Sequence, residues 1–141
     1  MAELVVALLV CIKCYVADVA TGVCEHLAEY EEVVQDEYVY DFTEEEEWLL
    51  VAVTMLEGGN QTVNDKAMIM RVVLNRVESP LYPDNIYDVI YQPGQFSVAS
   101  RLQYAVPNEG CYEALELIKM GWDESNGVMH FWGDGKVNHF Y

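Results

Sequence analysis

Apolar positions in this chain fall into blocks of helical spacing, separated by short polar breaks or by glycine and proline. The first block differs from the rest. Leu4 to Ile12 is an unbroken apolar run of nine residues, far short of the roughly 20 that a membrane-spanning helix needs. No transmembrane span is expected from it. Its length suits the core of an export signal, and Ala20-Thr21-Gly22 places small residues at cleavage spacing. Met1-Ala2-Glu3 lacks the positive charge such signals carry; the alternative is an amphipathic helix docking on the domain. From Glu25 to Glu47 the chain turns acidic, with Tyr30, Tyr38 and Tyr40 among the carboxylates. Self-repulsion predicts a linker or a loosely ordered lead-in there.

Regular periodicity begins at Thr43. Thr43 and Glu46 form a capping-box pattern, and Glu44 to Glu47 put negative charge where a helix dipole favours it. Trp48, Leu49, Ala52, Met55 and Leu56 then recur at helical spacing. Leu50 and Val53 make the opposite side apolar too, so this helix is expected to be buried on most of its circumference. Gly58-Gly59 should stop it. A second helix, capped by Asn64 or Asp65, is predicted to run to about Val77 and end at Ser79-Pro80. Pro83 should open a short helix through Tyr91, with Ile86, Val89 and Ile90 inward. Pro93-Gly94 is a turn, and Gln95-Phe96-Ser97 follows on a loop. Asn108 should cap a helix through about Met120 carrying Tyr112, Leu115, Ile118 and Lys119. Val128 to Trp132 reads as a short strand. The pattern predicts a mainly helical α+β fold with a short β element near the C-terminus, preceded by a separate segment 1–43.

Composition sharpens that division. The 141 residues suit one domain, and 52% of them are hydrophobic, which excludes a wholly disordered chain. The net charge of −17 argues against nucleic acid and anionic membrane surfaces as partners. Residues 1–48 hold 13 acidic groups and one basic group, against 11 and 6 in residues 49–141. The acidity is mostly a property of the lead-in.

One position stands out for chemistry. Glu57 is the last side chain of an apolar helix before a Gly-Gly turn, partly desolvated yet reachable. Apolar surroundings and the negative end of the helix dipole both favour the neutral acid. A carboxylic acid kept protonated near neutral pH is what general-acid cleavage of a glycosidic bond requires. Residues 79–141 hold six Tyr, two Trp and three Phe, with Gln95, Asn108, Asn126 and Asn138 among the polar groups. Flat rings beside amides suit sugars, whose C–H faces pack on aromatics while their hydroxyls seek hydrogen bonds. Cys11-x2-Cys14 with Cys24-x-His26 can be drawn as a zinc site. Cys11 lies in the apolar run, however, and no second Cys-x2-Cys follows, so neither metal nor cofactor is expected. His130 and His139 lack ligand spacing. Arg71 and Arg76 are expected to pair with neighbouring carboxylates.

Leu74-Asn75-Arg76-Val77-Glu78-Ser79-Pro80, Tyr82-Pro83 and Val89-Ile90-Tyr91-Gln92-Pro93-Gly94-Gln95-Phe96-Ser97 together resemble the SleB/CwlJ-like cell-wall hydrolase family, which includes spore-cortex-lytic enzymes. The closing Asn138-His139-Phe140-Tyr141 is similar to that family's C-terminal end. The resemblance spans residues 44–141 and implies a lysozyme-like fold and cleavage of peptidoglycan glycan strands. The family's catalytic glutamate opens a Glu-x-x-x-Glu segment seventeen residues before the Leu of Leu-Asn-Arg-Val, and that count lands on Glu57. The second Glu of the segment is Gln61 here, and the stretch after the aromatics is shortened to Gly133-Asp134-Gly135-Lys136.

The resemblance implies lytic transglycosylase chemistry between N-acetylmuramic acid and N-acetylglucosamine, with Glu57 as the acid and base. Gln95 and Ser97 would hydrogen-bond the substrate, and Phe96 and Tyr141 would shape or line the groove. A hydrolytic muramidase, for which Asp84 and Asp88 are candidate second carboxylates, and a non-catalytic wall-binding module are the alternatives. Action on peptidoglycan implies an extracytoplasmic location, reached by export or, for a phage lysis protein, through a pore.

Overall fold

A computed structural model of the chain describes residues 38–141. The apolar run at 4–12, Cys11, Cys14, Cys24 and His26 lie outside the described residues. Within them the order is α1 (Glu44–Gly58), α2 (Val63–Val77), α3 (Ile86–Tyr91), a 3-10 helix (Ala99–Tyr104), α4 (Glu109–Lys119), β1 (Phe131–Gly133) and β2 (Asn138–Phe140). The expectation of a mainly helical chain with a short β element near its end is met.

Helix α1 is the axis of the core. Its capping box closes from both sides: the Thr43 amide donates to Glu46 Oε2 at 2.9 Å, and the Glu46 amide donates to Thr43 Oγ1 at 3.3 Å. Leu49 to Thr54 are six consecutive buried residues, so the helix is wrapped on all sides, as its two apolar faces predict. Around it pack Met70, Val73 and Leu74 of α2, Ile86, Val89 and Ile90 of α3, Leu102 of the 3-10 helix, and Ala114, Leu115 and Ile118 of α4.

Glycine at position 58 answers to crowding rather than to backbone conformation. The cap residue Gly59 has φ −54°, an ordinary right-handed value. A Cβ on Gly58 would stand 2.5 Å from Ile69 Cδ1 of α2 and 3.3 Å from Gln61 Cγ. The helix end is pressed directly onto its neighbours.

Several boundaries differ from the sequence pattern, each for a local reason. Helix α2 is capped by Thr62, not Asn64 or Asp65: Thr62 Oγ1 accepts the Asp65 amide at 3.2 Å and reaches back to the Asp65 carboxylate at 2.7 Å. Helix α3 begins after Asn85 rather than at Pro83, because Asn85 Oδ1 accepts the Asp88 amide at 2.8 Å. The 3-10 helix has one buried anchor, Leu102, too little apolar periodicity to signal an element. Helix α4 starts at its expected Asn108 cap, but it buries Cys111, Ala114, Leu115 and Ile118 while Tyr112 stays half exposed.

The strand expected at 128–132 begins at Phe131 instead. The carbonyls of Val128 and Met129 are already taken, accepting from Asn75 Nδ2 at 2.8 Å and Arg76 Nε at 2.8 Å. Main-chain pairing starts at His130, whose amide and carbonyl meet those of Tyr141. The antiparallel ribbon then pairs Phe131 with Phe140, Trp132 with His139 and Gly133 with Asn138.

The end of the acidic segment is also tied down. The amides of Val39 and Tyr40 both donate to the Lys119 carbonyl, at 2.7 and 3.3 Å. Tyr40 stacks on Phe42 and accepts a hydrogen bond from Arg71 Nη1 at 2.9 Å. Aromatic side chains and free backbone donors override the charge repulsion that suggested a loose lead-in over these residues.

Candidate functional site

Where α1 ends against the β1–β2 ribbon there is a cleft with a volume of about 400 Å³. One wall is Glu57, Asn60 and Gln61, from the last turn of α1 and the loop after it. The other is Gly133, Gly135, Lys136, Val137 and Asn138, from the ribbon and its turn. The surface is polar apart from Val137: three amides, one ammonium and one carboxylate.

Glu57 is placed here by the order of residues in α1. The buried stretch Leu49–Thr54 fixes the helix in the core, and the next turn carries Glu57 to the edge, partly buried. Burial raises its carboxyl above the ordinary glutamate range, and the positive charge of Arg101 on the 3-10 helix moderates that rise. The helix C-terminus, with no basic residue in its last turn, also disfavours the anion. The group is suited to hold a proton near its point of delivery.

The ribbon is held against the helix end by amides. Gln61 Nε2 donates to the Lys136 carbonyl at 2.8 Å, and Asn138 Nδ2 reaches the Glu57 carbonyl at 3.5 Å. The turn is built on Asp134, whose Oδ1 accepts the amides of Lys136 and Val137 at 2.8 and 2.9 Å. Its Oδ2 lies 3.1 Å from His139 Nε2. The Val137 amide, the His139 ring and the Lys136 amide together hold the Asp134 carboxyl down to about 2. Gly135, at φ +88°, supplies the left-handed residue the turn needs.

A second polar system supports the ribbon from behind. Arg71 and Asn75 on α2 are buried and joined at 2.6 Å. Asn75 Nδ2 donates to Ser125 Oγ and the Val128 carbonyl, and Arg71 reaches Asp123 at 3.0 Å and Glu78 at 3.6 Å. Arg71 thus pairs with carboxylates as expected. Arg76 does not: its guanidinium binds the Met129 carbonyl and lies over the rings of Tyr82 and Phe96, at 5.3 and 5.1 Å.

That arrangement locates the remaining candidates. Phe96 is 5% exposed, between Arg76 and Phe131. Its ring is enclosed by those neighbours rather than open at the surface. Gln95 and Ser97 are exposed on the same loop but are not among the cleft-lining residues. Tyr141 is exposed and stacked on His130, also outside the lining. Asp84 and Asp88 are engaged around the Asn85 cap of α3 and are not among the cleft-lining residues. Glu57 is therefore the one carboxylate among the described lining residues. Asn60, Lys136 and Arg101 were not anticipated, because only the fold brings the turn and the 3-10 helix to the end of α1. Among the described residues no group of three or more His, Cys, Asp or Glu could hold a metal ion, and no helix is long and apolar enough to cross a membrane.

Residues 60–141 match the family model described as cell wall hydrolase. The chain belongs to the cell wall hydrolase family. The match takes in Gln61 and the whole ribbon side of the cleft, and it opens three residues after Glu57. Among curated relatives, the chain is 33% identical over 84 residues to a spore cortex-lytic enzyme of Bacillus subtilis, covering 59% of this chain and 28% of that protein. It is 30% identical over 76 residues to one of Oceanobacillus iheyensis, covering 53% and 28%. The chain thus matches little more than a quarter of the length of these relatives. Two solved structures share its fold at a TM-score of 0.54 and 24% identity. One is the catalytic domain of the Bacillus cereus SleB protein, covering 68% of this chain and 77% of that one. The other is the catalytic domain of a germination-specific lytic transglycosylase, SleB, from Bacillus anthracis, covering 70% and 83%.

Proposed function

We propose that this protein cleaves the glycan strands of peptidoglycan between N-acetylmuramic acid and N-acetylglucosamine, as a lytic transglycosylase with Glu57 as its single acid and base. The observation that carries this reading is a cleft whose described lining holds one carboxylate, itself held toward the protonated form by burial. Family membership supports the wall as the substrate.

The chemistry follows from that single group. Glu57 gives its proton to the glycosidic oxygen as the bond to the anomeric carbon breaks through an oxocarbenium-like state. A retaining glycosidase places a second carboxylate about 5 Å away, and an inverting one places a base roughly 6.5–9.5 Å away. Neither partner is among the described residues that line this cleft. The sugar's own 6-hydroxyl can instead attack the anomeric carbon, returning its proton to the Glu57 carboxylate and leaving a 1,6-anhydro end. Asn60, Gln61 and Asn138 offer the amide donors and acceptors that sugar hydroxyls and acetamido groups require. Acting on this substrate places the protein outside the cytoplasmic membrane.

Mass spectrometry of digested sacculi tests the reading. Products lacking one water, as 1,6-anhydro sugars, are expected. Reducing ends would instead mean a hydrolytic muramidase. Undiminished lysis by Glu57→Gln would remove Glu57 from the chemistry.

A further inference from the structure

The family resemblance places a second glutamate where this chain has Gln61, and the contacts of Gln61 give the amide a task that a carboxylate cannot perform. We propose that Gln61 is a positioning residue: its side-chain amide fastens the β1–β2 turn to the end of α1 and so fixes the cleft wall that faces Glu57.

Both ends of Gln61 are committed. Its backbone amide donates to the Gly58 carbonyl at 2.9 Å, closing the turn that follows α1. Its Nε2 crosses to the Lys136 carbonyl at 2.8 Å, joining positions 75 residues apart. The other tie between the two walls, Asn138 Nδ2 to the Glu57 carbonyl, is 3.5 Å long, at the weak end of the hydrogen-bond range. Gln61 therefore makes the firmer of the two connections. The ribbon beyond it is exposed along most of its length, so little apolar packing would hold the turn if that connection were lost.

The chemistry is directional. The Lys136 carbonyl accepts only, and an ionised carboxylate at position 61 would set acceptor against acceptor. Protonation would restore one O–H donor to such a carboxyl. The charged groups facing this position are Glu57 from α1 and Lys136 from the turn, with Arg101 of the 3-10 helix acting on Glu57. A carboxylate introduced at position 61 would also repel that of Glu57 and raise its pKa further. Gln61 thus secures the wall while leaving Glu57 as the sole carboxylate among the described lining residues. This inference rests on the catalytic reading of Glu57, whereas the fastening itself is measurable without substrate.

The test compares the parent, Gln61→Met and Gln61→Glu in hydrogen exchange at the Lys136 and Val137 amides and in kcat/KM on purified glycan strands. Gln61→Met should exchange these amides about tenfold faster and lose about tenfold in kcat/KM at every pH, the scale of one lost hydrogen bond. Gln61→Glu should be at least as impaired as Gln61→Met at neutral pH, since its carboxylate adds repulsion to the lost donor. As pH falls and the introduced carboxyl protonates, it should move back toward the parent, each variant being referred to the parent at the same pH. Parent-like exchange in Gln61→Met, or no recovery of Gln61→Glu at low pH, would overturn the proposal. Glu57→Gln, with Gln61 intact, should lose activity yet keep parent-like exchange. If it stayed active, the catalytic reading would fall while the exchange data still decided the role of Gln61.

Discussion

Helix α1 and the β1–β2 ribbon form the two walls of one cleft, and opposite kinds of interaction hold them. Six consecutive residues of α1 are buried among apolar side chains. The ribbon is mostly exposed, and its turn depends on Asp134, Gly135 and one amide from Gln61. The contrast shows how the acid is set. Glu57 lies at the seam, close enough to the dry interior for burial to favour its proton and close enough to the wet ribbon to line the open cleft. An apolar wall on both sides would bury the carboxyl beyond reach, and a polar wall on both sides would leave it an ordinary surface glutamate.

Breaking the dry wall should have the largest effect on stability. Leu50 is fully buried, and Leu50→Ala is expected to cost about 2–5 kcal/mol, read by denaturant unfolding. Next comes the polar support behind the ribbon. Asn75→Ala removes the partner of Ser125 Oγ, the Val128 carbonyl and Arg71 together. It should cost about 1–3 kcal/mol for the groups left unpaired in the interior, and backbone NMR shifts should move in residues 123–133 more than in α3.

The wet wall should respond to acid rather than to truncation. The Asp134 carboxyl is held down to about 2, below its ordinary value near 3.9. Its contribution is complete above that ordinary value and is lost as pH falls toward 2. Protection of the Lys136 and Val137 amides, referred to intrinsic exchange at each pH, should fall over that window in the parent but not in Asp134→Asn. The smallest effect concerns Glu57 and has the opposite sign. Because its folded carboxyl is raised by burial, ionisation costs stability as pH rises through the folded value. Glu57→Gln should therefore melt slightly higher than the parent at neutral pH, with the difference vanishing below the ordinary glutamate value. A lower melting temperature at neutral pH would show that the carboxylate is not strained there.

What the sequence made legible follows the same division. The dry wall could be read from spacing, because burial on two faces imposes a pattern from Trp48 to Leu56, and the Gly-Gly stop marks where Glu57 must emerge. The wet wall could not be read in this way. Its strands are three residues each, and β1 starts where it does because Asn75 and Arg76, more than 50 residues earlier, occupy the carbonyls of Val128 and Met129. The motif blocks that carry the family resemblance have a structural task that the sequence alone does not show. Asn75, Arg76 and Phe96 form the ribbon's support, with Arg76 over the Phe96 ring, and a block of recognisable sequence reads equally well as a binding loop. Lys136 and Arg101 carry no local signal, since each becomes relevant only through the position of Glu57.

The most direct test of the central claim is product analysis of purified sacculi treated with the parent protein and with Glu57→Gln at equal concentration. Loss of a positioned general acid is expected to lower the rate by about 10²–10⁴-fold, while the parent releases 1,6-anhydro muropeptides. Release of the same products by Glu57→Gln at the parent's rate would contradict the account.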